Sequence, residues 1–400
     1  MILDLKIKHK KPAIALITYA RSDYFEKVFN SIINQKINGK SFLEFFDFYV
    51  FQDGLLNDDT KENIGGHQVI KSICLNTTIN CTYVSQNTNL CVALHFDYIE
   101  RFFFEKENRH WAAFFEDDLI LSPGYLETLL CLAESFENDD RVSMFNCFGM
   151  SAQETVEVQE ANQNSLARMD HHWGFGMYQS AWRKRQALVD KYLKIIEKMP
   201  YRKRNHTRIN NWLTFLGFKP RATSQDYIKA CSISAQGMIK VSSFANFGTY
   251  IGVSGLHFNS KIFLSFGYDK NHIFTKPITQ KFTLDDDTYL TILAYQQEKT
   301  LIVPKNFNKS DFIKKLEHEY IAHPVTDPAF TDISSISEAD VISGYKIFLG
   351  RIPESEQVIQ HWVGRSGIDF FKGIIASREF RSRTEFYPAL LTLVKHIKST

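Results

Sequence analysis

No long uncharged apolar run occurs in the 400 residues. A membrane-spanning helix needs about 20 such residues, so none is expected. The opening stretch, Met1–Lys11, is mixed and basic and lacks the apolar core of a secretory signal. An excess of one charge is missing too. Lys and Arg number 47 against 45 Asp and Glu, a formal net charge of +2, which argues against a dedicated nucleic-acid binder. Cysteine is sparse and unpatterned. Cys74, Cys81, Cys91, Cys131, Cys147 and Cys231 form no C-x-x-C pair and no zinc spacing. That excludes a disulfide framework and fits a reducing compartment, where a reduced Cys behaves as a small apolar residue.

Aromatics are plentiful: 34 Phe, 17 Tyr and 5 Trp. Most must be core, because a chain of this length has ample material to bury and room for two or three domains. Hydrophobic residues at 44% and charged residues at 23% are ordinary for a soluble globular protein.

The most informative stretch is Trp111–Asp118, W-A-A-F-F-E-D-D. Five apolar residues run into three consecutive carboxylates. Strands of a parallel sheet covered on both faces read as continuous apolar runs, and ligands of such sheets bind just outside the carboxyl ends of the strands. Glu116, Asp117 and Asp118 belong at that edge. Crowded carboxylates raise one another's pKa unless a cation is present. Mg²⁺ or Mn²⁺, bridging carboxylates to substrate phosphates, is the usual solution. The bland alternative is an acidic start to the helix after Pro123. The acids, however, precede that proline by five to seven residues, on the strand side.

Around this stretch the chain alternates strand and helix. Ala13–Tyr19 reads as a first strand, followed by a helix from Tyr24 to about Gln35. Phe46–Phe51 is a second strand, and Asp58–Leu75 a helix interrupted at Gly65-Gly66. Thr78–Val84 is a third strand, with a helix from about Leu90 to Phe104 before the acidic strand. This alternation predicts an α/β fold with a mostly parallel sheet and right-handed crossovers. Arg21 and Asp53 then fall at strand ends beside the acids. Arg21 would face a diphosphate and Asp53 a uracil imide. The bland readings are a helix-start salt bridge and a turn former.

Further on, Tyr125–Phe136 is a helix and Val142–Phe148 a strand, and residues 150–165 read as a polar loop. Leu166–Tyr178 carries two glycines and an aromatic pair around Asp170. Ser180–Met199 is a long helix. The basic run Tyr201–Arg208 reads as solvated surface, with an anionic acceptor or a membrane surface as the alternatives. Asn211–Ala235 is helical in pieces, and Ile239–Ile251 is extended. Gly252–His257 is a segment fit to close over a ligand. Asp285-Asp286-Asp287 reads as a helix N-cap cluster. A Pro-, Asp-, Thr- and Ser-rich stretch at 324–337 precedes three short helical patterns, which predict a small separate helical domain without a catalytic constellation.

Taken in order, I-T-Y-A-R, F-Q-D-G, F-F-E-D-D-L-I-L-S-P-G-Y, M-F-N-C-F-G, L-A-R-M-D-H-H-W-G-F-G, S-Q-D-Y and G-V-S-G resemble a nucleotide-diphospho-sugar glycosyltransferase of the GT-A fold. The nearest likeness is to the N-acetylglucosaminyltransferase I family, which makes β-linkages from UDP-GlcNAc with Mn²⁺. The resemblance implies a Rossmann-like sheet with helices on both faces over residues 1–265. Its donor half would span about 1–150 and its acceptor half about 151–265. Residues 266–330 would be an extension and linker, and 335–400 the small helical domain.

The resemblance also implies site roles. Ala20 would bind the donor, Arg21 would contact its diphosphate, Asp53 the uracil, Glu116 the donor sugar and Asp117 the ribose or sugar. Asp118 would bind Mn²⁺ or Mg²⁺, Asp226 would be the catalytic base, and Ser254 would lie in the closing loop. Ser224-Gln225 stands where the family has a tryptophan and a second acid, and the interval before Asp226 is longer. Asp170 is the alternative base or acceptor contact, with His171, His172 and His257 also available, and His257 is a further candidate on the metal. The family is Golgi-anchored, whereas this chain looks like a bacterial cytoplasmic relative working at or near the inner membrane face. The tail, Ile342–Phe380, resembles a small helical module of unknown function found in bacterial proteins.

The expected activity is thus a metal-dependent inverting hexosyl transfer (EC 2.4 class) from a UDP-sugar to a hydroxyl of a glycan or lipid-linked saccharide. Two rivals are weighed. A sugar nucleotidyltransferase needs a glycine-rich loop after the first strand, where this chain reads T-Y-A-R-S-D. A non-catalytic glycan-binding scaffold would leave Glu116–Asp118 without a purpose. Donor identity, linkage and oligomeric state are not written in the sequence.

Overall fold

The computed structural model describes residues 10–56, 59–196, 199–253, 259–304, 307–317, 336–349, 351–377 and 379. Ser254 and His257 fall outside them. The chain divides into two compact units, Met1–Tyr320 and Ile321–Thr400.

In the first unit, β1 (Ala13–Thr18) is buried at every position, so both faces of the sheet are covered here. Helix α1 (Ser22–Ile33) turns Phe25, Val28, Phe29 and Ile32 inward at helical spacing. A hairpin of β2 (Lys36–Ile37) and β3 (Lys40–Ser41) leads to β4 (Asp47–Gln52). Helix α2 (Lys61–Asn76) then runs unbroken through Gly65 and Gly66, correcting the interruption expected there. The two glycines differ in kind. A Cβ on Gly66 would lie 2.0 Å from the Ala20 carbonyl oxygen, whereas one on Gly65 would meet nothing within 4 Å. Gly66 lets α2 approach the end of β1.

β5 (Thr82–Ser85), α3 (Cys91–Arg101) and β6 (Trp111–Glu116) complete a parallel block in the order β5-β4-β1-β6. There follow β7 (Leu119–Leu121), α4 (Tyr125–Ser135), β8 (Val142–Asn146), α5 (Val156–Ala161), β9 (Leu166–Arg168) and β10 (Phe175–Tyr178). The 150–165 stretch, expected as loop, therefore contains a helix. β10 enters antiparallel between β6 and β8. After α6 (Gln179–Ile196), α7 (His206–Phe215) and α8 (Gln225–Ala235) come β11 (Ile239–Ser243), β12 (Gly248–Tyr250), α9 (Ser260–Ser265), α10 (Asp286–Thr300) and α11 (Lys309–Glu317). The eight-stranded sheet reads β5-β4-β1-β6-β10-β8-β11-β9, the mostly parallel α/β arrangement expected. β7 and β12 form a separate antiparallel pair.

Residues beyond 265, expected as extension and linker, are integral up to α11. Phe274, Ile278, Phe282 and Ile292 share one core with β1 and β6. Asp285 caps α10, accepting from the Thr288 N–H at 2.7 Å, as the sequence implies. A charge cluster missed by the sequence joins α3, α6 and α8: Glu100 meets Arg185 at 2.7 Å and Lys229 at 2.8 Å, all three buried. In the second unit, α12 (Glu338–Leu349), α13 (Glu356–Trp362) and α14 (Gly367–Ala376) enclose Val341, Leu349, Ile359, Phe370 and Ile374.

The glycine geometry gives a paired prediction. Gly66→Ala should destabilise the fold by about 1–3 kcal/mol through overpacking. Gly65→Ala should be neutral or stabilise by up to about 1 kcal/mol through helix propensity. Urea unfolding midpoints check this, and equal shifts for the two variants would contradict it.

Candidate active site

The parallel pairing of β1 with β6 sets Ile17 opposite Glu116, so the residues following both strands emerge together. Thr18 donates its hydroxyl to Asp117 Oδ2 at 2.8 Å. Arg21, at the start of α1, donates from Nη2 to Asp117 Oδ1 and, at 2.9 Å, to Asp118 Oδ2. One guanidinium nitrogen thus bridges two carboxylates. Arg21 is 38% exposed, so a ligand from solvent can reach it. Asp118 Oδ1 is buried and has no hydrogen-bond partner among the described residues. Burial raises the Asp118 pKa, Arg21 opposes that and Asp117 adds to it. Glu116 is pushed well above the usual carboxylate range, first by burial and then by Asp118, Asp226 and Asp117, with Arg21 pulling the other way.

Asp53 follows β4, and its N–H donates to the Thr18 carbonyl at 3.0 Å. Its Oδ1 accepts from the Gly54 N–H at 2.9 Å and the Leu90 N–H at 2.8 Å, tying the end of β4 to the start of α3. Burial raises its pKa to about 6 against those backbone donors. Ala20 is buried under Gly66.

The roof of the site comes from the far end of the unit. The Ile251 N–H donates to the Asp118 carbonyl at 2.8 Å, and β12 pairs with β7, setting Tyr250 opposite Leu119. The Tyr250 ring stacks on Trp173 with centroids 3.9 Å apart and planes 4° off parallel. Trp173 stacks on His171 at 4.3 Å and 10°. Asn146, at the end of β8, holds the 171–173 turn by donating to the carbonyls of His171 and Trp173 at 3.3 and 3.1 Å. The turn then passes through Gly174 at φ +57°, where a Cβ would also meet the Tyr125 hydroxyl at 2.5 Å.

Asp226 stands in the first turn of α8, where the helix dipole favours a negative charge. Its side chain is 56% exposed, so a ligand from solvent can reach it. Burial acts to raise its pKa, but His172, Lys229 and Lys240 outweigh that and hold it below the usual carboxylate range. His172 Nδ1 lies 3.3 Å from Asp226 Oδ1, and Lys240 Nζ lies 3.0 Å from His172 Nε2. Asp170 pairs instead with Arg168 at 3.1 Å.

The acids therefore share one edge with Arg21, and Asp226 is close enough to Glu116 to act on its charge. Asp170 acts on the charge of Lys240, as Asp226 does. Ser254 and His257 lie outside the described residues. Sequence reasoning did not single out Thr18, Tyr250 or Lys240. Only Lys240 left a signal, a cation inside the apolar run M-I-K-V. The basic run is not simply solvated either: Arg204 is buried, donating to the Met199 carbonyl at 3.0 Å and the Tyr192 hydroxyl at 2.7 Å.

Among the described residues no cluster of three His, Cys, Asp or Glu side chains could cage a metal ion. A Mg²⁺-type ion does not need one, because it is commonly held by one or two carboxylates with waters and substrate phosphates. The orphaned Asp118 Oδ1 fits that single-ligand role.

Glu116 also generates a pH prediction. Its folded pKa lies above the unfolded value, so the folded state binds the extra proton and loses stability as pH rises through the window above the unfolded value. Glu116→Gln should therefore raise the melting temperature near pH 7.5, with the gain shrinking towards pH 4. A variant less stable than wild type at pH 7.5 would contradict this.

No protein-family model matches the chain, and no curated protein matches it. Among solved structures it is similar to GalNAc-T7 with UDP, GalNAc and Mn²⁺, at 7% identity and TM-score 0.33, over 58% of this chain and 42% of that one. It is similar to the galactosyltransferase LgtC with donor and acceptor sugar analogues, at 7% identity and TM-score 0.26, over 46% of this chain and 63% of that one. A third is the apo form of mouse xyloside xylosyltransferase 1, at 8% identity and TM-score 0.27, over 47% of this chain and 75% of that one. The chain thus spans less than half of the GalNAc-T7 chain. Likeness at these TM-scores carries no functional weight, so function rests on the site itself.

Proposed function

We propose that the chain is a metal-dependent inverting glycosyltransferase. It would move a hexose, GlcNAc or a relative, from a UDP-sugar to a hydroxyl of a glycan or lipid-linked acceptor on the cytoplasmic side of a membrane. The observation that carries this reading is the presence of two unlike carboxylate stations, one after β6 and one at the start of α8. At the end of β6, Asp118 keeps an unpartnered oxygen beside a partly exposed arginine. Near Glu116, Asp226 is exposed to solvent and held below the usual carboxylate range.

Residues from about 1–150 would form the donor half and those from about 151–265 the acceptor half. Asp118 would hold Mn²⁺ or Mg²⁺, which when bound supplies positive charge to the leaving diphosphate. Arg21 would exchange its carboxylate partners for diphosphate oxygens and stabilise the charge that develops there. Asp117, held by Thr18, would orient the ribose or sugar, and Glu116 would hydrogen-bond the donor sugar. Asp53 would receive the base. Asp226 would take the proton of the acceptor hydroxyl as it attacks the anomeric carbon. The Trp173–Tyr250 stack would give the acceptor an apolar wall, and Ser254 and the His257 segment would close over the donor.

A thermal-shift screen of UDP-sugars with and without Mn²⁺ tests the reading. Binding at a hundredfold excess over Kd stabilises by about 2.7 kcal/mol. Asp118→Asn should abolish the metal-dependent shift while keeping the fold, and a variant that retains the full shift would refute the metal role. Asp226→Asn should lower kcat about 10²–10⁴-fold with donor affinity nearly unchanged, whereas Asp170→Asn should act mainly on acceptor KM. The reverse pattern would make Asp170 the base.

A further inference from the structure

Lys240 occupies the second position of β11 and is buried in the middle of the unit. Its ammonium makes no ion pair within 4.0 Å among the described residues, and its one described hydrogen-bond partner is His172 Nε2 at 3.0 Å. A buried cation without a carboxylate beside it is costly, and nothing in β11's ladder needs it. His172 is buried as well and has a different partner on each ring nitrogen: Lys240 on Nε2, Asp226 on Nδ1.

The chemistry of these groups sets the direction of the chain. An ammonium only donates, so Nε2 must accept, and a neutral imidazole then carries its proton on Nδ1. That proton points at Asp226 Oδ1. Asp226 Oδ2 takes no hydrogen bond from the described residues and belongs to an exposed side chain. Burial and the neighbouring cations Lys240 and Lys229 hold the His172 pKa at about 4, so the ring stays neutral.

We propose that His172 and Lys240 are positioning residues for Asp226: Lys240 locks His172 in its Nδ1–H form, and His172 fixes one oxygen of Asp226 so that the other faces the acceptor hydroxyl. This rests on reading Asp226 as the base. As the acceptor oxygen bonds to the anomeric carbon, its proton passes to Asp226 Oδ2. The bond to the diphosphate breaks, and the diphosphate keeps the electron pair. His172 gains no proton in the step, and the exposed face of Asp226 returns the proton to water.

The groups facing this chain are Glu116 from β6, Tyr192 from α6, Lys229 and Cys231 from α8, together with Asp170 and His171 from the turn before β10. Lys240 has its pKa lowered to about 8 by burial, with Asp170, Asp226 and Cys231 opposing the fall. The lock is therefore complete below that value and is lost as Lys240 deprotonates above it.

Two measurements on the full chain test this. In ¹⁵N-histidine NMR between pH 6 and 7, His172 should show a protonated Nδ1 and a bare Nε2. Lys240→Met should shift the ring toward Nε2–H or the doubly protonated form, while Lys240→Arg should preserve the wild-type pattern. A wild-type ring protonated on Nε2 would overturn the proposal. The second measurement is UDP release from UDP-GlcNAc with Mn²⁺, water serving as acceptor. His172→Phe should lower kcat about 10–100-fold, the usual cost of losing an outer partner of a site residue, with donor KM unchanged. His172→Asn, whose amide N–H can stand in for Nδ1–H, should recover most of it. Lys240→Met should move the acid limb of kcat upward in pH, because removing a cation raises the Asp226 pKa. Wild-type kcat in a folded His172→Phe variant would overturn the positioning role. Wild-type kcat in Asp226→Asn would instead overturn the base assignment, a failure distinct from a wrong tautomer in the NMR.

Discussion

Three consecutive carboxylates cannot sit charged at one strand end without a counter-ion, and a single nitrogen of Arg21 supplies it by bridging Asp117 and Asp118. The rest of the first unit is arranged so that this contact can form. β1 and β6 run parallel and adjacent, which brings the residues after Thr18 to the residues after Glu116. Gly66 allows α2 to close on Ala20, immediately before the arginine. The same contact leaves something undone. Glu116 remains pushed towards its neutral form, and Asp118 keeps a buried oxygen without a donor. Both features cost stability in the free protein and both would be relieved by a cation arriving with a ligand.

Two carboxylates near one another are pushed in opposite directions. Glu116 is pushed up by burial and by neighbouring acids, whereas Asp226 is pulled down by His172 and two lysines that outweigh its own desolvation. Environments that drive a pair of acids apart are how one site divides binding from proton transfer. One of these cations is itself braced: Lys229 shares Glu100 with Arg185 in a fully buried cluster joining three helices.

Much of this was legible in the residues because it depends on near neighbours in the chain. The apolar run before Glu116 requires a buried strand, the strand–helix alternation requires a parallel sheet, and acids at a strand end require a cation. The three helical patterns after residue 337 form their own small core for the same local reason. The helix runs through Gly65-Gly66 because helix propensity is weak beside packing: the Ala20 carbonyl, distant in sequence but packed against α2, selects the second glycine. Residues 266–317 look like an extension because their apolar positions are scattered, and only their burial in the shared core, docked on α4, makes them integral.

The sequence by itself determined the α/β class, the acidic edge with Arg21 beside it and the helical tail, all consequences of periodicity and of charge within a few residues. Tertiary structure alone decided which acid would be free and which held. His172 reaches Asp226 across 54 positions and Lys240 across 68. Those distances in sequence are closed only when β10 inserts antiparallel between β6 and β8, and when β11 pairs with β8. Whether a charge is partnered depends on what the fold brings within 3 Å of it, and no local pattern encodes that.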